Sequence, residues 1–349
     1  MEVEDLSLLL SIDVGSSTIK LAEGTYNKKS LTINKCLEIP TPEYAIEKGH
    51  IKNSYGLADA ISQALIKEKF QARVGVVTIN AESAVARDIE LPKAKPRELE
   101  SMVRNEMKQN YHIDETDVVQ YKKIEATGGE EKGGLIKYQC VVLDAALVDE
   151  YYQIVKTLGL KSLIMDINRN GIGKLLNLSK EVNNQPIQEK VCLFIDFGAE
   201  STNVYIQSMG TQEIVRHLEI GSGEIEKLIS EKSLVAASEI KAKKEEGYNF
   251  FQTEAGDNDY SSILKNYFDN LSEELRNIVR FHNNRTTDSG ITQAFIFGGG
   301  SRLMGLPEYL ESSLNIPVER IEMLSNIVGE ISKDEALTHL NSFGALIRY

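Results

Sequence analysis

The chain has 349 residues, 42% of them hydrophobic and 26% charged, which suits a globular protein with two lobes that each bury a core. A formal net charge of −13, with Lys and Arg scattered rather than gathered, repels phosphate backbones and argues against nucleic acid as a partner. Cys36, Cys140 and Cys192, and His50, His112, His217, His282 and His339, are isolated from one another in sequence, so no Cys/His metal spacing exists and the thiols read as buried and reduced, as in the cytoplasm.

The acidic start, Met1 to Asp5, leads into an apolar run from Leu6 to Ile12 that lacks the basic flank and length of a signal peptide or membrane span, and so predicts a buried strand. This run closes in Asp13-Val-Gly15-Ser16-Ser17-Thr18. Strands are predicted next from Thr18 to Glu23 and from Leu31 to Ile39, then a helix from Ser54 to Glu68. Extra material follows between Glu82 and Leu160. Strands are expected at Val85 to Leu91, Asp117 to Ile124 and Leu135 to Leu143, helices at Lys95 to Gln109 and Ala146 to Leu158, and a polar turn at Thr127 to Gly134. We read this stretch as an inserted subdomain.

From Val191 the opening pattern returns as Val-Cys-Leu-Phe-Ile-Asp196-Phe-Gly198-Ala199-Glu-Ser201-Thr202, with further strands at Thr202 to Gln207 and Glu213 to Ile220. Both halves therefore predict a three-stranded antiparallel meander followed by helix, which is an α/β architecture of two facing lobes. Helices are expected at Gly223 to Ser230, Ser233 to Glu246 and Ser261 to Asn283, with an acidic loop at Thr253 to Asp259. The apolar strand from Ala294 to Phe297 then runs into Gly298-Gly299-Gly300-Ser301-Arg302 and a helix through Leu314.

A strand that ends in Asp-x-Gly and turns tightly presents backbone N–H groups and small hydroxyls, which is what a phosphate needs for close approach. One such loop is more often a plain strand ending, but a pair in equivalent positions could close on two sides of a triphosphate. Asp13, Gly15, Ser16, Ser17 and Thr18 form the first candidate loop, and Asp196, Gly198, Ala199, Ser201 and Thr202 the second. Asp13 and Asp196 could hold Mg²⁺, mainly through its water shell. Lys20 reads equally as a phosphate partner or as solvated surface. Gly298, Gly299, Gly300, Ser301 and Arg302 are the adenosine-site candidates, because three consecutive glycines let a flat ligand lie against main chain. Gly221 completes the candidate set.

In order, these loops resemble the actin, sugar-kinase and heat-shock-chaperone ATPase superfamily across nearly the whole chain. The finer pattern is similar to the PilM family of type IV pilus assembly proteins. It rests on Ile12 to Leu21, Gly49 to Asn53, Val85 to Pro92, Glu98 to Glu106, Asn110 to Asp114, Asp196 to Asn203, Gly298 to Leu306 and Phe343 to Ile347. The resemblance implies an actin-like, ribonuclease H-like two-lobed fold with an inserted α/β subdomain in the first lobe. It divides the chain into a first lobe of 1–83, 161–185 and 335–349, an insertion over 84–160, and a second lobe over 186–334 with a helical cap at about 224–290. It further implies ATP and Mg²⁺ as cofactors, Lys241 near the nucleotide, and a cytoplasmic adaptor held at the inner face of the membrane through partners, without inserting in the membrane itself. The partner implied is the cytoplasmic tail of a PilN-like membrane protein, in a groove lined from roughly Val85 to Tyr121, with other pilus assembly components possible.

The sequence departs from the family where a Glu is usual and Asn168 stands. An amide can orient water but is not a base, so hydrolysis is expected to be slow or absent unless Asp166 substitutes. A filament-forming or FtsA-like relative and a small-molecule kinase of the same fold remain alternatives.

Overall fold

A computed structural model describes residues 7–80, 84–111, 113–124, 134–208, 210–252, 260–285 and 290–348. The acidic start, His112, the acidic loop and all of the 127–134 turn except Gly134 lie outside the described residues.

The first half contains β1 (Leu9–Val14), β2 (Thr18–Tyr26), β3 (Leu31–Pro40), the short pair β4 (Ile46–Glu47) and β5 (His50–Ile51), α1 (Ser54–Lys67) and β6 (Val74–Ile79). The inserted segment contributes β7 (Val85–Pro92), α2 (Pro96–Tyr111), β8 (Val118–Lys123), β9 (Leu135–Leu143) and α3 (Ala145–Thr157). Next come β10 (Ser162–Ile167), α4 (Asn168–Leu178) and the small hairpin β11 (Glu181–Val182) and β12 (Gln185–Pro186). The second half runs through β13 (Val191–Phe197), β14 (Thr202–Ser208), β15 (Thr211–Leu218), α5 (Gly223–Ser233), α6 (Ala237–Glu245), α7 (Tyr260–Asn283) and β16 (Gln293–Phe297). A 3₁₀ turn (Gly299–Arg302), α8 (Leu306–Leu314), β17 (Val318–Arg320), β18 (Ile327–Val328), α9 (Lys333–Thr338) and α10 (Leu340–Leu346) complete the described chain.

Two sheets share one plan. The first is ordered β10-β6-β1-β2-β3-β18 and the second β15-β14-β13-β16-β17. In each, an antiparallel meander is extended by parallel strands on the side of its first strand. Strands β1 and β13 are buried along their whole length, which is why they read as continuous apolar runs rather than alternating ones. The inserted strands form a separate antiparallel sheet, β7-β9-β8, whose apolar face packs Ile89, Ile136 and Tyr138 against Leu99, Val103 and Met107 of α2.

The lobes join through α4 and α10. A continuous apolar cluster takes Leu9 and Val76 from the first sheet, Phe194, Tyr205 and Phe295 from the second, and Leu175 and Phe343 from the two helices. The helix backbones touch where a Cβ added to Gly344 would stand 2.2 Å from the Gly171 carbonyl oxygen, so only glycine permits the crossing.

Three expectations shift. The break expected between Ser230 and Ser233 falls later, because α5 runs on to Ser233, Leu234 takes a left-handed conformation (φ 59°) that ends it, and α6 starts at Ala237. The third strand of the second meander is Thr211–Leu218 rather than Glu213 to Ile220. Finally, β18 pairs with β3, so the chain rejoins the first sheet earlier than the return at 335 that the sequence suggests.

Candidate functional site

The two Asp-x-Gly loops have the same backbone closure. Gly15 N–H donates to Thr18 O at 3.1 Å, and Gly198 N–H donates to Ser201 O at 3.0 Å. A Cβ on Gly15 would meet the Thr18 carbonyl at 2.7 Å, and one on Gly198 the Ser201 carbonyl at 3.0 Å, so the tight turn explains both glycines. Loop one is pinned by Thr41, whose N–H donates to Ser17 O and whose hydroxyl donates to Gly15 O. Loop two is held by Ser222 N–H on Gly198 O, Gly223 N–H on Ala199 O, and the Thr202 hydroxyl on Ile220 O. Gly221 fits under this loop, where a Cβ would lie 2.3 Å from Ala199 O.

The two loops face each other. Both aspartates are buried, and the charge of Asp13 reaches Asp196. Burial, reinforced by Asp13, raises the Asp196 carboxyl to about 6, against the opposing pull of Asn341 and Lys20. Asp13 accepts the Thr78 hydroxyl at 2.7 Å, and Asp196 accepts Asn341 Nδ2 at 2.9 Å. Between the lobes, Asn80 Nδ2 donates to Ser201 Oγ at 3.5 Å, and Asn80 Oδ1 accepts from Asn203 Nδ2 at 3.3 Å. The ammonium of Lys20 donates to Thr18 O and would lie 3.6 Å from a Cβ on Gly15, which puts it at the loops rather than on open surface.

The glycine run packs against loop two. Gly298 has φ 87°, and a Cβ there would meet Asp196 Oδ1 at 2.5 Å; one on Gly300 would meet Phe197 and Ser222. Gly299 differs. Its φ is not left-handed and an added Cβ would meet nothing within 4 Å, so neither backbone nor packing accounts for it, and the space beside it is open. Ser301 is fully buried with its hydroxyl on Gly298 O, and Arg320 holds the turn from behind through Ser301 O and Leu303 O.

Two adenosine and nucleotide candidates are not brought to a ligand surface. Arg302 is committed to Glu38 and Asp334, as described below. Lys241 stands exposed on α6, although the end of that helix adjoins the glycine run through Gly247 and Met304.

α4 starts with Asn168, and α10 carries Asn341, whose Nδ2 meets Asp196. Both side chains are buried, and each leaves its Oδ1 without a hydrogen-bond partner in the chain. Two buried carboxylates, a nearby ammonium, the spare amide oxygen of Asn341 and an open glycine form a set that suits a hydrated divalent cation and a polyphosphate. Asp166 is not free to act as a base. Its carboxylate accepts Lys174 Nζ at 2.6 Å, Arg348 at 3.0 Å and Asn170 at 2.6 Å. Burial alone would raise it, but these partners hold it below its usual value.

A second concavity of about 220 Å³ lies between the inserted sheet and the edge strand β10. One wall carries the cross-strand pairs Val118/Leu143, Gln120/Val141 and Lys122/Gln139, and the other Met165, Asp166, Ile167 and Asn170. It runs from apolar to polar. Of the groove segment expected from Val85 to Tyr121, only the Val118–Tyr121 end lines it, because β7 is the far strand of the inserted sheet.

Thr78, Asn80, Asn203 and Asn341 escaped sequence reading. Asn80 had a visible signal, a polar residue closing a buried run, as Asp13 and Asp196 do. Asn341 had none, since which sheet α10 faces is a tertiary matter.

The paired sheets, crossing helices and facing loops define a protein of the actin-like ATPase fold. Solved structures agree. A chain of a PilM–PilN type IV pilus biogenesis complex matches with TM-score 0.80 at 19% identity, covering 97% of each chain. The ethanolamine utilization protein EutJ from Carboxydothermus hydrogenoformans matches at 0.57 and 10%, covering 97% of this chain and 88% of that one. MreB5 of Spiroplasma citri bound to ADP matches at 0.50 and 11%, covering 97% and 94%. The profile of type IV pilus assembly protein PilM matches residues 11–342, and the chain belongs to that family. No helix among the described residues is long and apolar enough to cross a membrane.

Proposed function

We propose that the chain is a cytoplasmic adaptor of type IV pilus assembly that binds ATP·Mg²⁺ between its lobes and the tail of a PilN-like inner-membrane protein in the groove beside β10. The observation that carries the nucleotide reading is the pair of Asp-x-Gly loops with one backbone geometry, facing each other across buried Asp13 and Asp196. Bound Mg²⁺ would neutralise charge on the phosphates. Asp13 and Asp196 would hold its water shell, the N–H groups of the two loops and Lys20 would bind phosphate oxygens, and Gly299 would admit the adenosine. Asn168 can orient a water molecule but cannot take its proton, and Asp166 is locked in ion pairs, so turnover is expected to be slow.

The sites are connected through one sheet. Asp13, Thr78 and Asp166 occupy the same register on the adjacent parallel strands β1, β6 and β10. Asp13 belongs to the nucleotide loop, and Asp166 lines the groove. A ligand that fixes the end of β1 can thereby favour one arrangement of β10, and a tail seated against β10 favours the same arrangement in return. The groove suits an extended segment, with aliphatic side chains toward Leu143 and polar ones toward Lys122.

Thermal unfolding with and without ATP·Mg²⁺ tests the nucleotide site. Ligand at about a hundred times Kd should add about 2.7 kcal/mol in the wild type and nothing in Asp13→Ala. Titrating the tail peptide with and without ATP·Mg²⁺ tests the linkage. Equal affinities would show that the two sites are independent.

A further inference from the structure

Arg302, at the end of the glycine run, reaches out of its own lobe. Its NH2 and NH1 donate to the two oxygens of Glu38 at 2.6 and 3.3 Å. Its Nε and NH2 donate to Asp334 at 2.7 and 2.6 Å. Glu38 lies on β3 of the first sheet, directly opposite Lys20 on β2, the strand that leaves loop one. The Glu38–Arg302 pair therefore ties the strands flanking loop one to the glycine run through side chains.

The geometry points to Arg302 as a positioning residue, a clamp between the lobes that sets the spacing of the phosphate and adenosine loops without itself touching nucleotide. This rests on the nucleotide reading above. A ligand whose phosphates sit on loop one and whose adenosine sits on the glycine run spans the same two elements as the clamp. With the clamp closed, that spacing is already set, and the ligand need not order it. The planar fork of arginine is suited to two carboxylates at once, and lysine would not reproduce it.

The arms are unequal. The Glu38 side chain is 18% exposed and that of Asp334 58%, so solvent screens the second far more. Burial opposes ionisation of Glu38, but the Arg302 hydrogen bonds hold its carboxyl below the ordinary range, in keeping with a permanent pair. The sequence made Arg302 an adenosine candidate by proximity to the glycines. The structure gives its guanidinium another task.

The test is a double-mutant cycle on the full chain, read as Kd for a fluorescent ATP analogue with Mg²⁺. Glu38→Gln and Arg302→Gln should each weaken binding about tenfold, the double variant no further than either, and Asp334→Asn by less. Spin labels at exposed Ile66 and Leu234, one on each lobe, should show a broader distance distribution in Arg302→Gln without nucleotide. If Arg302→Gln loses affinity while Glu38→Gln keeps it, Arg302 touches the ligand and the clamp is wrong. If neither changes Kd, the ion pairs are merely structural and the proposal also falls. A wild type that does not bind the analogue at all overturns the nucleotide reading instead, and the spin labels then report whether Arg302 still holds the lobes.

Discussion

The two halves repeat one backbone and diverge in side chains. Loops one and two close with the same hydrogen bond, yet Lys20 in the first register stands where Asn203 stands in the second. Asp13 is paired with Thr78 on the next parallel strand, whereas Asp196 is paired with Phe297 and takes its hydrogen bond from Asn341 on α10. The first sheet thus carries a polar row from Asp13 through Thr78 to Asp166, whereas in the second the row beyond Asp196 turns apolar at Phe297, in the cluster between the two sheets. Backbone geometry preserved in both halves marks what the proposed nucleotide site would use twice. Side chains that differ mark what each lobe does alone.

The largest effect should come where the halves join. Gly344→Ala forces a Cβ into the Gly171 carbonyl and should lower stability by roughly 3 kcal/mol in urea unfolding. An unchanged midpoint would mean that α4 and α10 can separate cheaply.

Replacing the aspartates should separate their roles. Asp13→Asn and Asp196→Asn should both lose the gain of about 2.7 kcal/mol from saturating ATP·Mg²⁺. In EDTA at neutral pH the signs should differ, because Asp196→Asn removes a charge that burial disfavours, and Asp13→Asn weakens the bond from Thr78. Matching signs in calorimetry would mean that the two environments are equivalent after all.

Making loop one resemble loop two is a milder perturbation. Lys20→Asn should weaken ATP affinity about tenfold, or ~1.4 kcal/mol, with the fold intact. Thr78→Val, which cuts the polar row at its centre, should cost about 1 kcal/mol and reduce the effect of nucleotide on tail binding. No change in that linkage would remove the row as its carrier.

The last comparison uses pH. Lys174, Asn170 and Arg348 hold the Asp166 carboxyl below 3.8, so its contribution to stability is present above that value and lost as pH falls through the lower folded value. The stability gap between the wild type and Asp166→Asn should therefore stay level from pH 7 to about 4 and close below. A gap that closes between pH 7 and 5 would show that the carboxylate is not held by its cations.

Much of the fold was legible because its signals are local. Continuous apolar runs named β1 and β13 as interior strands, and the repeat of Asp-x-Gly after each named the loops. The break between α5 and α6 was legible but its position at Leu234 was not, since Leu is a good helix former. Arg302 misled for a related reason. Adjacency to glycines places its backbone, while its guanidinium is drawn to Glu38, far away in sequence.

By itself the sequence determined the layered α/β plan, the duplicated halves, the inserted segment and the residues at each strand end, because periodicity and glycine chemistry act over a few neighbouring residues. Only the tertiary structure decided that Asn341 meets Asp196, that Asp166 is neutralised rather than available, that a concavity of about 220 Å³ opens between β8, β9 and β10, and that Arg302 meets Glu38 of the first sheet. Each of these depends on which distant segments the crossing of α4 and α10 brings together, and that crossing is set by packing across the whole chain rather than by any local run of residues.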